Sequence, residues 1–374
     1  MRTVTVALGE RSYDILIDAG LLAAAGEQMR TAAGGRSAVV VTDSNVGPLY
    51  GPTVVRSLTD AGYAVHVATF PAGEPHKTLA TVADLFDQVF AAPTPPERTT
   101  VVVALGGGVA GDIAGFLAAT LLRGVPFVQV PTSLLAMVDS SVGGKTGVDH
   151  AAGKNLIGAF YQPRGVFVDT DTLGTLPPVE LASGLAECIK HGVIRDETLL
   201  TWIEARAGAL AGGDREALGE LVARNVAIKA DVVATDEREG GVRAHLNFGH
   251  TIGHAIEAVA GLRPGENADD YLRHGHCVAL GMVAANRIAV ARGLLDAGDA
   301  ARIESLLAAV HLPVRLAGLN GAELLTIMRR DKKVRAGAIR FILPDGALGR
   351  VAIHADVTDA EILDAIAYVC GAAH

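Results

Sequence analysis

The sequence predicts two domains of different class: an N-terminal α/β domain with a parallel sheet over residues 1–178, and a C-terminal mostly α-helical domain over 179–374. Three observations carry that expectation. A chain of 374 residues suits two domains better than one. Its first half alternates strand-like apolar runs with segments of helical spacing, the order of a parallel sheet flanked by helices. After Pro178 the pattern changes to long stretches of helical periodicity.

From the N-terminus, "MRTVTVALGERSYDILIDAG" alternates like a pair of strands. "SAVVVTDSNV" reads as a buried strand ending in Asp43, and "YAVHVATF", "TTVVVALGGG" and "VPFVQVPTS" read as further strands. "TLATVADLFDQVFAA" has helical spacing, and "AAPTPPER", residues 91–98, is a Pro-rich surface loop. "RGVFVDTDTLGTLP", residues 164–177, looks like a last strand and a connecting loop. Helical stretches follow at 179–194, 197–211, 214–234, 247–260, 276–293 and 299–309, with no internal repeat or low-complexity tract.

Half of the residues are hydrophobic and 20% are charged, enough apolar mass for a large core. No apolar run is long and unbroken enough to span a bilayer, so no membrane partner is expected. The N-terminus lacks the apolar core and cleavage site of a signal peptide. Cys188, Cys277 and Cys370 form no C-x-x-C pair, which fits a reducing cytoplasm and argues against a disulfide frame or a cysteine zinc site. A net charge of -9 argues against a nucleic-acid partner but leaves room for a local cationic pocket. Of 32 basic residues only seven are lysines: Lys77, Lys145, Lys154, Lys190, Lys229, Lys332 and Lys333. Positions that stay lysine in an arginine-rich chain suit a compact ammonium rather than a planar fork.

Four stretches can carry chemistry. In "VVVALGGGVAGDIAGF", Gly106, Gly108 and Gly111 match G-x-G-x-x-G between a strand and a helix. Such a turn lets the backbone approach a pyrophosphate at the helix N-terminus, with Asp43 as ribose partner; a plain Gly-rich strand–helix turn has the same pattern. In "MVDSSVGGKTGVDHAAGKN", Asp139, Lys145, Lys154 and Asn155 lie among glycines and suit phosphate or carboxylate oxygens, or a solvated loop. In "SGLAECIKHGVI", Glu187 and Lys190 form an i,i+3 ion pair, or else a metal ligand and a substrate contact. The last run places Lys229, Glu239, Arg243, Asn247, His250 and His254 within 26 residues, followed by His274 and His276, and this density favours a site over satisfied core histidines. In "LNFGHTIGHAIE", His250 and His254 share one helix face, as two metal-bound imidazoles would. Thr251 stands where H-E-x-x-H carries the general base of a hydrolase.

"LGGGVAGDIAGF", "RGVPFVQVPTSLLAMVDSSVGGKTGV", "GKNLIGAFYQP", "LAECIKHG", "LNFGHTIGHAIE" and the later "DKK" together resemble the 3-dehydroquinate synthases, members of the sugar-phosphate cyclase family. The resemblance extends over nearly the whole chain, and all seven lysines fall within its motifs. It implies a Rossmann-like NAD-binding domain followed by a helical metal- and substrate-binding domain, related in fold to glycerol dehydrogenases and iron-type alcohol dehydrogenases.

The ligands it implies for Zn2+, or Co2+ in its place, are Glu187, His250 and His274, which moves His254 to the substrate side. Implied contacts to bound NAD+ are Asp43, Glu74, Lys77, Gly107, Gly108, Asp112, Thr132, Ser133 and Thr172. Implied substrate contacts are Asp139, Lys145, Lys154, Asn155, Lys190, Lys229, Arg243, Asn247, His254 and one of Lys332 or Lys333. Arg123 is expected to reach the substrate phosphate of a partner in a homodimer. The implied reaction converts 3-deoxy-arabino-heptulosonate 7-phosphate to 3-dehydroquinate and phosphate, a step of the shikimate pathway to aromatic amino acids. Transient oxidation by NAD+ at C5 acidifies the C6 proton, phosphate leaves, the hydride returns, and an intramolecular aldol closes the carbocycle. No water attacks an acyl group, which accounts for Thr251.

Two departures keep other members open. The family's H-G-E motif reads H-G-H, with His276 as the third residue, and "AGLRPGENADDYLR" lengthens the span before His274. Both suit a secondary-metabolite cyclase that makes aminodehydroquinate or another cyclitol. A glycerol-dehydrogenase-like NAD/metal oxidoreductase is a more distant alternative, since it would leave the lysines idle. A non-catalytic dinucleotide-binding protein would need no zinc ligands.

Overall fold

The computed structural model describes residues 1–260, 272–330 and 339–371. Two compact units emerge, one of Met1–Leu176 with Leu218–Arg238 and one of Pro177–Ala217 with Glu239–His374. The chain leaves the first unit close to Pro178 and returns to it for most of one helix, Arg215–Thr235.

The strands of the first unit are β1 (Arg2–Val6), β2 (Tyr13–Asp18), β3 (Ser37–Asp43), β4 (Ala64–Phe70), β5 (Val101–Gly106), β6 (Phe127–Pro131), β7 (Lys145–His150), β8 (Gly153–Phe160) and β9 (Val166–Asp169). Seven of them form one sheet in the order β1-β2-β9-β6-β5-β3-β4. β1 is antiparallel to β2, and every other pair is parallel. Val39, Val41, Val102 and Ala104 pack under helices Leu79–Phe90 and Gly108–Thr120. Val40, Val101, Val103 and Leu105 pack over helices Ala25–Ala33 and Val46–Asp60 on the other face. Both faces are dry, so these strands are continuous apolar runs, and all six residues of β5 are buried.

The lysine-bearing glycine stretch is not the loop that its composition suggested. It is a β-hairpin, β7 paired antiparallel with β8. Gly147 and Gly158 face each other so closely that a Cβ on either would overlap a backbone carbonyl of the opposite strand. These glycines serve close approach of two backbones rather than flexibility.

The second unit consists of helices Pro178–Arg195, Glu197–Glu204, Ala207–Ala211, His250–Ala260, His274–Ala291, Ala297–Ala309, Gly321–Arg330 and Asp359–Val369, with a small hairpin of β10 (Phe341–Pro344) and β11 (Val351–His354). Helix His274–Ala291 is its hub. It is apolar around most of its circumference and packs on Pro178–Arg195, His250–Ala260, Ala297–Ala309 and Asp359–Val369, as a core helix does. A Cβ on Gly275 would overlap the Ser183 carbonyl, and one on Gly281 would overlap that of Gly249. The missing side chains let three helices close in, and each of the three carries one implied metal ligand. Among the described residues no helix is long and apolar enough to cross a membrane.

Candidate active site

In the second unit, Glu187 is fully buried in the middle of helix Pro178–Arg195. Its Oε1 lies 3.6 Å from Nε2 of His250 and 3.6 Å from Nε2 of His274. That is too long for a hydrogen bond. It is close to the roughly 3.4 Å that separates two ligand atoms each about 2.1 Å from a tetrahedral zinc ion. The three ligand atoms lie within 4.8 Å of one another. One carboxylate and two imidazoles leave a fourth position for substrate, the pattern of catalytic rather than structural zinc. The donor set therefore fits a divalent ion.

The surroundings hold these donors in place. Lys190 pairs with Oε2 of Glu187. The i,i+3 ion pair and the ligand geometry thus coexist on the two oxygens of one carboxylate. Burial would raise the Glu187 carboxyl, but Lys190 and both histidines outweigh it and hold the group well below the carboxylate range. His250 Nδ1 lies 3.0 Å from the Phe248 carbonyl. His274 Nδ1 lies 3.2 Å from Oε2 of Glu257. Burial disfavours a charged His274, yet Glu187 and Glu257 push its pKa up to about 10. The cluster draws positive charge, a demand that a metal ion meets in competition with the proton.

The i,i+4 partner His254 has its ring centroid 5.1 Å from that of His250. It groups with Glu257 and His274 rather than with Glu187. Arg243 is buried on the short turn Val242–Asn247. Asn247 Nδ2 donates to Glu239 Oε1 at 2.8 Å, so Glu239, given no role from sequence, orients an implied substrate contact. His276 is half-buried in the first turn of the hub helix, and burial with nearby Arg273 keeps its pKa below the ordinary imidazole value. Lys332, Lys333 and residues 261–271 of the lengthened span lie outside the described residues.

In the first unit, the implied NAD+ contacts gather beyond the C-terminal ends of the parallel strands. Asp43 ends β3, Glu74 and Lys77 follow β4, Gly107 and Gly108 follow β5, Thr132 and Ser133 follow β6, and Thr172 follows β9. β4 and β5 flank β3 on opposite sides, so the strand order reverses there, and such switch points form binding crevices. Asp43 Oδ1 accepts from the backbone N–H groups of Asn45 and Val46 at 2.8 and 2.9 Å, at the start of helix Val46–Asp60. A Cβ on Gly106 would lie 3.3 Å from Asp43 Oδ2, one on Gly108 3.0 Å from Ser140 Oγ, and one on Gly111 2.6 Å from Gln129 Oε1. The glycines let this turn pack closely on its neighbours, and they set it at the N-terminus of helix Gly108–Thr120, a position that suits a pyrophosphate.

Lys77 and Asp112 face each other here. Lys77 Nζ lies 2.6 Å from Asp112 Oδ2 and donates to Asn155 Oδ1 at 2.6 Å. Burial opposes the Lys77 charge, but Asp112 and Glu74 outweigh it and keep the ammonium protonated. Asp149, which sequence reasoning passed over, accepts from the Asn155 backbone N–H at 2.7 Å and donates its own to the Lys77 carbonyl at 2.8 Å. Lys154 Nζ lies 3.5 Å from Glu74 Oε1. Lys145 is exposed at the start of β7. Asp139, on the short turn Ala136–Ser140, pairs with Lys229 of helix Arg215–Thr235. Arg123 is exposed, with a left-handed backbone at φ 68°.

Residues 67–183 match the profile of the 3-dehydroquinate synthase N-terminal domain, and residues 184–334 match that of the 3-dehydroquinate synthase C-terminal domain. The chain belongs to the 3-dehydroquinate synthase family. It is 48% identical over 364 residues to a 3-dehydroquinate synthase of Desulforamulus reducens, covering 97% of this chain and 99% of that one. It is 48% identical over 354 residues to a 3-dehydroquinate synthase of Symbiobacterium thermophilum, covering 94% and 96%. Among solved structures, a 2-epi-5-epi-valiolone synthase from Streptomyces hygroscopicus subsp. jinggangensis, with NAD+ and Zn2+ bound, superposes with a TM-score of 0.86 at 29% identity over 98% of both chains. A 2-deoxy-scyllo-inosose synthase complexed with carbaglucose-6-phosphate, NAD+ and Co2+ gives 0.84 at 26% identity over 98% of this chain and 99% of that one. A glycerol dehydrogenase from Schizosaccharomyces pombe, at 20% identity and a TM-score of 0.69 over 96% and 89%, shares the fold. The parallel-sheet domain followed by a helical domain is thus the architecture of 3-dehydroquinate synthase and its cyclase relatives.

Proposed function

We propose that the chain acts as a 3-dehydroquinate synthase, a carbon–oxygen lyase that converts 3-deoxy-arabino-heptulosonate 7-phosphate to 3-dehydroquinate and phosphate. The observation that carries this reading is the buried Glu187 carboxylate, with one oxygen on Lys190 and the other facing His250 and His274, in a chain of this family. The division of labour assigns NAD+ to residues 1–178 and the metal to residues 179–374.

Glu187, His250 and His274 would hold Zn2+ or Co2+, and Asp43, Glu74, Lys77, Gly107, Gly108, Asp112, Thr132, Ser133 and Thr172 would hold NAD+. When bound, the metal supplies Lewis acidity to a substrate hydroxyl and the nicotinamide a reversible hydride acceptor. Lys190, paired with Glu187, would offer an ammonium donor to the substrate. Asp139 and Lys229 hold each other and offer one acceptor and one donor to the sugar. The substrate has two anionic ends, and a buried carboxylate left unpaired would cost several kcal/mol. Lys145, Lys154 and Arg243, with Asn155, Asn247 and His254, supply donors for both ends. Thr251 Oγ1 donates to the Arg340 carbonyl at 3.2 Å, so the position after His250 carries a hydroxyl and not the carboxylate of H-E-x-x-H.

Phosphate release and absorbance at the NADH band, followed together, test the activity. The heptulosonate phosphate should release phosphate with no accumulation of NADH. Turnover of sedoheptulose 7-phosphate or glucose 6-phosphate in its place would overturn the substrate assignment. The same reading assigns the chain to the cytoplasm as a homodimer in which Arg123 serves the partner's substrate phosphate. Mixed Arg123→Ala and Lys190→Ala chains should then recover activity that neither has alone; no recovery despite subunit exchange would refute the shared site.

A further inference from the structure

The two histidines of the candidate metal centre are oriented by different chemistry. His250 Nδ1 faces a neutral acceptor, the Phe248 carbonyl, at 3.0 Å. His274 Nδ1 faces a carboxylate, Oε2 of Glu257, at 3.2 Å. Glu257 lies on helix His250–Ala260, two turns beyond His250, while His274 begins a different helix. The Glu257 side chain is 11% exposed, so its interaction with the imidazole is little screened by water. With Nδ1 held by Glu257, His274 has one nitrogen left, Nε2, and that nitrogen faces Glu187 Oε1.

We infer that Glu257 is a positioning residue for the metal: its carboxylate accepts the Nδ1 proton of His274, fixing the tautomer and the ring so that Nε2 points at the ion. A carboxylate behind an imidazole also raises its basicity as a ligand, which a peptide carbonyl does far less. The two histidines would therefore be unequal ligands, with His274 depending on a side chain that can be changed and His250 on a backbone group that cannot. This inference rests on the metal-site reading given above.

The test uses the purified full-length chain stripped of metal and titrated with zinc in competition with a chromophoric chelator. Glu257→Gln keeps an acceptor for Nδ1 and loses the charge, and should weaken zinc binding about 10-fold. Glu257→Ala loses both and should weaken it about 100-fold, the range found when such outer carboxylates are removed. Both variants should still take up one zinc per chain at saturation. Their cobalt forms should keep the coordination number of the parent, since no ligand is lost. The thermal midpoint of the metal-free chains, measured alongside, separates loss of metal affinity from loss of folding. Zinc affinity in Glu257→Gln and Glu257→Ala within twofold of the parent would overturn the inference and leave the metal site standing. A cobalt spectrum showing one ligand fewer would also overturn it, by making Glu257 a ligand. A parent chain that binds no zinc would sink the metal site itself.

Discussion

The charge cluster around Lys77 in the first unit and the one around Glu187 in the second are built on opposite principles. In the first unit, Lys77 meets Asp112 and Asn155 at 2.6 Å each. That cluster is closed on itself, with every contact at hydrogen-bonding distance. In the second unit, Glu187 faces two imidazole nitrogens at 3.6 Å, a distance at which no direct bond forms. The gap is held open by what stands behind each group: Lys190 behind Glu187, the Phe248 carbonyl behind His250, and Glu257 behind His274. The first cluster is satisfied by its own side chains before any ligand arrives, whereas the propped-open one stores affinity for something that fits the gap.

Breaking the open cluster should have the largest effect. Glu187→Ala, His250→Ala and His274→Ala should each abolish metal uptake, read by metal analysis of purified protein, and lower activity by at least about 100-fold. Full occupancy in any one would remove that residue from the ligand set. The closed cluster should fail differently. Asp112→Ala takes the nearest carboxylate from the buried Lys77 ammonium and leaves it Asn155 as acceptor, so the chain should lose about 3 kcal/mol of stability in denaturant titration. Its second unit should keep parent-like zinc affinity, and a fall in that affinity would blur the contrast between the clusters.

A surface pair supplies the smallest effect. Hydrogen bonds from Arg11 lower the Glu237 carboxyl to about 2. A depressed carboxylate adds stability above its unfolded value of about 4.3, and that stability is lost as pH falls toward 2. Glu237→Gln should therefore match the parent near pH 2, fall slightly below it at neutral pH, and show a flatter acid limb. Because Arg11 is largely exposed, solvent screens the pair and the difference should be slight. An unchanged acid limb would show that the pair contributes nothing.

The sheet was easy to read because strands buried on both faces leave uninterrupted runs of Val, Ala and Leu, as in β3 and β5. The helix Val46–Asp60 was hidden by Gly51 and Pro52 in its interior, residues that ordinarily mark turns. The hairpin of β7 and β8 was hidden for a related reason: its glycines imitate a loop, and only the partner strand reveals that they serve close backbone pairing. At the candidate metal centre, the spacing of His250 and His254 was visible, but the imidazole that faces Glu187 together with His250 belongs to His274. Helical periodicity reports neighbours on one helix, while His274 comes from another, 24 positions later in the chain. Family motifs, not spacing, named His274. Glu257 was within reach, three residues after His254 on the same helix, but a search for ligands does not look for what stands behind them.

Helix His274–Ala291 begins with a candidate metal donor and continues as the hub of the second unit's core. With His274 as a ligand, occupancy of the metal and folding of the unit would be one linked equilibrium. An ion that binds the folded chain and ignores the unfolded one adds about 2.7 kcal/mol at a hundredfold excess over its dissociation constant. For this protein, chelation should act as a mild denaturant.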